Sequence, residues 1–216
     1  MTGMARWQKM FDEKALGLYP SSDPSHDHLH IRRVVAMAMR LAKEESADEN
    51  VVLPAAYFHD FVNVPKNDPR RSQASRLSGD AAVEYLASVG YPAQYFDAIR
   101  HAIAAHSFSA NIKPETIEAM VVQDADRLDA LGAIGAARVF SISALMQTAY
   151  YNPDDPWAEK RALDDKTAAI DHFPIKLFKI ADTMNTRTAR EEAARRVVFM
   201  RDFLRQMGRE IGASGA

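Results

Sequence analysis

The sequence predicts an all-α fold, a single helical bundle. Three observations carry that expectation. Apolar residues recur at three- and four-residue intervals along most of the 216 residues, no stretch keeps a two-residue alternation, and β-branched clusters such as Val121-Val122 fall inside helical periods. With 47% hydrophobic and 26% charged residues the chain has a globular rather than a disordered composition, so one domain spanning 1–216 is expected, with its core from about 20 to 205.

The elements follow in order. Trp7, Met10, Phe11 and Ala15 place a short amphipathic helix over 2–17, with the role of covering the core. Residues 19–24 hold two prolines and break the chain, after which Ser25 or a neighbour caps a helix running to about Glu45, with Leu29, Val34, Val35, Ala38 and Leu41 facing inward. A third helix is expected from about Glu49 to Val62, with Pro54 in its first turn or kinking it. Residues 63–71 form a proline-broken loop carrying Lys66, Arg70 and Arg71. The helix over 72–89 stops at Gly90, and Pro92 opens the next, through about Ala105. Helices over 114–131 and 133–150 follow, then the turn-rich segment 152–156. Helical patterning resumes, breaks near Pro174, and ends in a long helix over 186–211 with Ala193, Val197, Met200, Leu204 and Met207 on its buried stripe. The Gly/Ala/Ser tail at 212–216 is expected to fray.

Composition narrows the chemistry. The chain has no cysteine, which removes disulfides, thiolate metal sites and cysteine nucleophiles. A net charge of −2 gives no general attraction for a nucleic-acid polymer or an anionic membrane, so recognition of an anion has to be local. No apolar run approaches the roughly 20 residues that span a bilayer, the N-terminus lacks the apolar core of a secretion signal, and a cytoplasmic location is expected. A second copy of the chain is a candidate partner.

The stretch around which these elements are organised is Tyr57-Phe58-His59-Asp60, a histidine and a carboxylate side by side at the end of an apolar run. Adjacent helical residues point about 100° apart, so the pair shares one ion only at a helix edge, with neighbouring helices supplying the other ligands. His30 and Asp126 meet that need. Two imidazoles and two carboxylates suit a borderline-to-hard divalent ion with coordination positions left for water and a substrate oxygen. A histidine beside a carboxylate is in general more often a structural hydrogen-bonded pair, and what outweighs that reading is the ordered set of four.

That order, His30 with Arg33-Val34 after it, His59-Asp60, and Asp126 within Asp124-Ala125-Asp126-Arg127-Leu128-Asp129, resembles the HD superfamily of metal-dependent phosphohydrolases. The resemblance covers about residues 20–205. With His26-Asp27 and the run from Asp124 to Gly132, the chain is similar to the small bacterial HD hydrolases that include nucleotide pyrophosphohydrolases. The resemblance implies a divalent metal (Mn2+, Mg2+, Co2+ or Ni2+) held by His30, His59, Asp60 and Asp126, with Asp124 or Asp129 orienting a ligand. It implies attack by metal-activated water on a small phosphate substrate, a nucleotide, and cleavage of a nucleoside triphosphate to monophosphate and pyrophosphate. Alternatives are a nucleoside monophosphate phosphatase, an HD module that signals by binding without turnover, and a di-iron oxygenase on the same scaffold, which needs further metal ligands.

Around the metal the candidates for catalysis are Asp60, His26 and Lys66. For substrate contact they are His26, Lys66, Arg70, Arg71, His101, His106, Lys176 and Lys179. His26 lies one turn from His30 on the same helix face, whereas His101 and His106 are five apart and diverge on a regular helix. Lys176, Lys179, Thr183 and Arg187 recur at roughly helical spacing and resemble the family's closing region, although an exposed helix face accounts for them equally well. His172 reads as structural.

Overall fold

The computed structural model describes residues 3–19, 27–62, 64, 68, 70–107 and 110–213, and the described secondary structure is helical apart from an isolated bridge between Ala149 and Ala168. Two compact units are present, Met1–Asp126 with Asn185–Ala189, and Arg127–Met184 with Arg190–Ala216. No single described helix is long and apolar enough to cross a membrane.

The first unit is built around α3 (Glu49–Phe58), which packs against α1 (Gly3–Leu18), α2 (His28–Glu45), α4 (Ala74–Ser88) and α5 (Phe96–His106). Every residue from Val51 to Phe58 is buried, as expected of a helix that is apolar on all sides. Pro54 sits in the middle of α3 and has no N–H for the Asn50 carbonyl four residues back. The Tyr91 hydroxyl donates to that carbonyl instead, at 2.7 Å, so the helix keeps its course without an orphaned buried oxygen. Around α3 the aromatic rings of Phe11, Tyr57, Phe58 and Tyr85 meet at centroid distances of 5.2–6.0 Å.

Several boundaries differ from the sequence expectation. α3 ends at Phe58, four residues early, because the Phe61 N–H turns back to the Phe58 carbonyl (3.1 Å) and tightens the chain. In α2 the cap is Asp27, and Leu29 is 58% exposed instead of facing inward, since the buried face runs through His30, Ile31, Val34, Val35 and Ala38. α4 stops as predicted: Gly90 has φ +76°, its N–H reaches the Ala87 carbonyl and that of Tyr91 reaches Leu86. Pro92 precedes a 3-10 turn, Ala93–Tyr95, that leads into α5. α6 covers Ile117–Asp129.

In the second unit, α7 (Gly132–Met146) ends four residues early at Gln147, which takes the left-handed conformation. The helical patterning expected after 156 is absent. There the Asp155 carboxylate accepts the backbone N–H groups of Glu159, Lys160 and Arg161, and Arg161 forks onto Asp171 at 2.5 and 2.8 Å. Side chains thus satisfy the backbone that a helix would otherwise satisfy. A 3-10 turn (Ala169–Asp171), a π-helical turn (Phe173–Leu177) and α8 (Phe178–Ala181) precede α9 (Arg187–Glu210). On α9, Ala193, Met200 and Leu204 are buried while Val197 and Met207 are half-buried.

Candidate metal centre

The centre lies in the first unit and is assembled from four helices. Asp27 caps α2, its Oδ1 accepting the His30 N–H at 2.7 Å, so the residue next to His26 in the sequence motif fixes the helix start that carries His30. His59 and Asp60 follow the last residue of α3. The His59 Nδ1 lies 2.9 Å from the Ala56 carbonyl, which can only accept, so Nδ1 carries the proton and Nε2 presents its lone pair. His106, last in α5, repeats the arrangement with Nδ1 2.6 Å from the Ile103 carbonyl. Asp126 comes from α6.

These side chains converge. His30 Nε2 stands 3.4 Å from His59 Nε2 and 3.6 Å from Asp126 Oδ1, and His59 Nε2 lies 3.7 Å from both Asp60 Oδ2 and Asp126 Oδ1. His106 Nε2 is 3.5 Å from Asp60 Oδ1. His30, His59 and Asp60 form one group, and His59, His106 and Asp126 a second, in each of which the ligand atoms all lie within 4.8 Å of one another. The imidazoles are buried while Asp60 and Asp126 are about a third exposed, which places the nitrogens at the floor and the carboxylates at the mouth. This donor set fits a divalent ion of the Mn2+ to Ni2+ range, with both His59 and His106 oriented by backbone carbonyls behind them.

The electrostatics separate the two neighbouring imidazoles. Burial pushes His59 below its ordinary value, against the pull of Asp60 and Asp126, which favours the neutral, metal-binding form. Burial also opposes the His106 cation, but there the hydrogen bond and charge of Asp60 prevail and raise it. Tyr19, buried and close to the charge of Asp60, is raised well above the usual phenol range.

The remaining candidates divide clearly. His26 and Lys66 lie outside the described residues. Arg70 forks onto Asp68 at 2.9 and 3.1 Å, and Arg71 donates to the Val64 carbonyl at 2.7 Å. His101 Nε2 accepts the Glu115 N–H at 3.0 Å, so it diverges from His106 as the five-residue spacing implies. Lys176 is exposed on the π-helical turn and Lys179 is exposed on α8, both in the second unit. His172 bonds Asp165 at 2.7 Å, in line with its structural reading.

Asp124 is fully buried and faces a different neighbourhood from Asp126: it accepts from the Asn185 and Thr186 backbone N–H groups, the Asn185 amide and the Thr186 hydroxyl at 2.8–3.2 Å. Asp129 pairs with Arg138 at 3.1 Å. Tyr19 is the residue near the centre that sequence reasoning passed over, since a tyrosine following an amphipathic helix carries no motif.

Comparison with known proteins agrees with this geometry. The HD domain pattern matches residues 28–131, which hold all five converging side chains. YpgQ of Bacillus subtilis strain 168, an uncharacterized protein, is 36% identical over 190 residues, 86% of this chain and 84% of its own. The crystal structure of Bacillus subtilis YpgQ in complex with ADP superposes with a TM-score of 0.73 at 32% identity, covering 95% of each chain. A structure from Bacillus thuringiensis described as an HD-superfamily hydrolase gives 0.76 at 28% identity, over 97% of this chain and 99% of that one.

Proposed function

We infer the reaction from one premise: this chain belongs to the HD superfamily, whose members are metal-dependent hydrolases. The proposed substrate is a nucleotide, and the proposed reaction is hydrolysis of a nucleoside triphosphate to the monophosphate and pyrophosphate. The observation that carries the reading is the clustering of three imidazoles and two carboxylates in two overlapping groups that share His59, in the first unit. The ADP bound by YpgQ supports a nucleotide as the ligand class.

His30, His59, Asp60 and Asp126 would hold the ion. When bound, it lowers the pKa of a coordinated water and withdraws electron density from a phosphoryl oxygen. In the balanced reaction the water oxygen bonds to the α-phosphorus, the bond from that phosphorus to the bridging oxygen breaks, and pyrophosphate leaves with the electron pair. The chain's residues then have distinct tasks. The Ala56 and Ile103 carbonyls hold the His59 and His106 rings in place. Asp60, beside His106, takes the proton from the attacking water, and His106 gives one to the leaving oxygen. The cation proposed to meet charge developing on the phosphoryl oxygens is Lys66, six residues beyond Asp60 in the sequence, while Arg70 bonds Asp68 and Arg71 donates to the Val64 carbonyl.

The test is to strip the protein with chelator, reload it with Mn2+, Mg2+, Co2+ or Ni2+, and resolve the products from a nucleotide panel by chromatography. Pyrophosphate and monophosphate are expected. Release of inorganic phosphate from nucleoside monophosphates replaces this reaction with the phosphatase alternative, and no turnover of any nucleotide removes the reading.

A further inference from the structure

We propose that Tyr19 is a positioning residue for the metal centre, holding the end of α3 so that His59 and Asp60 meet their partners. The proposal rests on the metal-binding reading and adds to it a residue from outside the converging set.

In a continuous α-helix the Tyr57 carbonyl would accept the N–H of Phe61, four residues on. Here the Phe61 N–H goes to Phe58 instead, at 3.1 Å. That tightening ends α3 just before His59 and leaves the Tyr57 carbonyl without its helical donor in a buried place. The Tyr19 hydroxyl supplies one at 3.0 Å. Of the three carbonyls preceding the His59-Asp60 pair, two are therefore held by side chains, Ala56 by the His59 ring and Tyr57 by Tyr19.

The donor is itself rigidly placed. Phe11, Ala15 and Tyr19 recur every four residues along one face of α1 and its end, and all three are buried. Phe11 packs its ring on Tyr57 and Phe58 at centroid distances of 6.0 and 5.2 Å, so one face of α1 grips the last turn of α3 by packing and by a hydrogen bond. A buried tyrosine satisfied by whatever carbonyl is at hand is the competing account. The protein contains its own control for it: Tyr91 makes the same kind of bond, hydroxyl to backbone carbonyl at 2.7 Å, on the same helix but at Asn50, remote in sequence from the ligand pair.

The experiment is a calorimetric Mn2+ titration of chelator-stripped full-length wild type, Tyr19→Phe and Tyr91→Phe, each checked for native helicity by circular dichroism. Groups bonded directly to metal ligands cost roughly 10- to 100-fold in affinity when removed, and Tyr19→Phe, acting through the Tyr57 backbone, is expected at the lower end, about tenfold, while Tyr91→Phe keeps the wild-type affinity. Wild-type affinity in Tyr19→Phe, or an equal loss in Tyr91→Phe, overturns the proposal and leaves the metal reading standing. A wild type that takes up no Mn2+ overturns both.

Discussion

Asp124 and Asp126 lie on one helix two residues apart, and replacing each with asparagine should damage the protein in opposite ways. Asp124 is 0% exposed and accepts four donors, two backbone N–H groups, an amide and a hydroxyl. Asparagine is nearly isosteric, but its amide carries two hydrogens and accepts through one oxygen only. That oxygen can keep the Asn185 donors. The NH2 group then faces the Thr186 N–H, which cannot turn away, while the Thr186 hydroxyl can rotate and accept. One backbone donor is left unpaired in a buried site, and the remaining bonds lose their charge assistance.

Counting about 1–3 kcal/mol for the unpaired donor and about 1 kcal/mol for weakening the others gives a loss of about 3 kcal/mol. At roughly 2–4 °C per kcal/mol for a chain of this length, Asp124→Asn should lower Tm by about 6–12 °C. Asp126 is 30% exposed and touches His30 and His59, so Asp126→Asn should move the Tm of the metal-free protein little while sharply weakening Mn2+ binding. Differential scanning calorimetry of the stripped proteins, with a Mn2+ titration of each, reads both quantities. Asp124→Asn that melts with the wild type, or Asp126→Asn that binds Mn2+ with wild-type affinity, refutes the division of labour between the two carboxylates.

Other outcomes follow from the same structure. His59→Ala should abolish Mn2+ binding and turnover with helicity retained, whereas His106→Ala should retain metal and lose turnover, both read by metal analysis and product chromatography. Lys66→Ala should lower turnover by roughly tenfold to a thousandfold at unchanged metal content, a wild-type rate at matched occupancy removing it from the site. Gly90→Ala should destabilise by about 1–2 kcal/mol in urea melts, because φ +76° strains any side chain although the space around it is open. Asp12 is held below the ordinary carboxylate value, chiefly by its hydrogen bonds from Arg32, although burial opposes this. Its folded pKa therefore lies below its unfolded one, so its stabilisation is present above about pH 4 and is lost as the pH falls through the folded value. Asp12→Asn should accordingly cost stability at pH 6, and the gap to wild type should narrow as melts are taken to progressively lower pH below about 4.

That the candidate ligands come near one another was legible in the sequence, and their roles less so. Ligand atoms of His30, His59 and Asp60 lie within 4.8 Å of one another, and Asp126 lies 3.6 and 3.7 Å from His30 and His59. Asp27, part of the motif, is a helix cap, a task any well-placed Asp performs and that only the backbone reveals. The divergence of His101 from His106 followed from their spacing. Which of the two joins the cluster did not, because it depends on where α5 ends relative to α3. The segment after 156 reads as helical by composition and is held instead by Asp155 and Arg161, since pairings between side chains and backbone leave no periodic trace.

The end of α3 shows why helix length was the weakest expectation and the most consequential one. Apolar periodicity continues through Phe61 and Val62, so nothing in the pattern stops the helix at Phe58. What stops it is a competition for carbonyls: Phe58 takes the Phe61 N–H, His59 takes Ala56, and Tyr19 takes Tyr57, from a helix more than thirty residues upstream. Had α3 run on to Val62, the Ala56 carbonyl, with two lone pairs, would accept the Asp60 N–H along the helix beside the His59 ring, and Asp60 would lie within a helical turn. The early stop places the His-Asp pair at the end of α3, facing side chains from α2, α5 and α6. The sequence placed the His-Asp pair and the requirement for an edge, while the edge itself is made by tertiary contacts from α1.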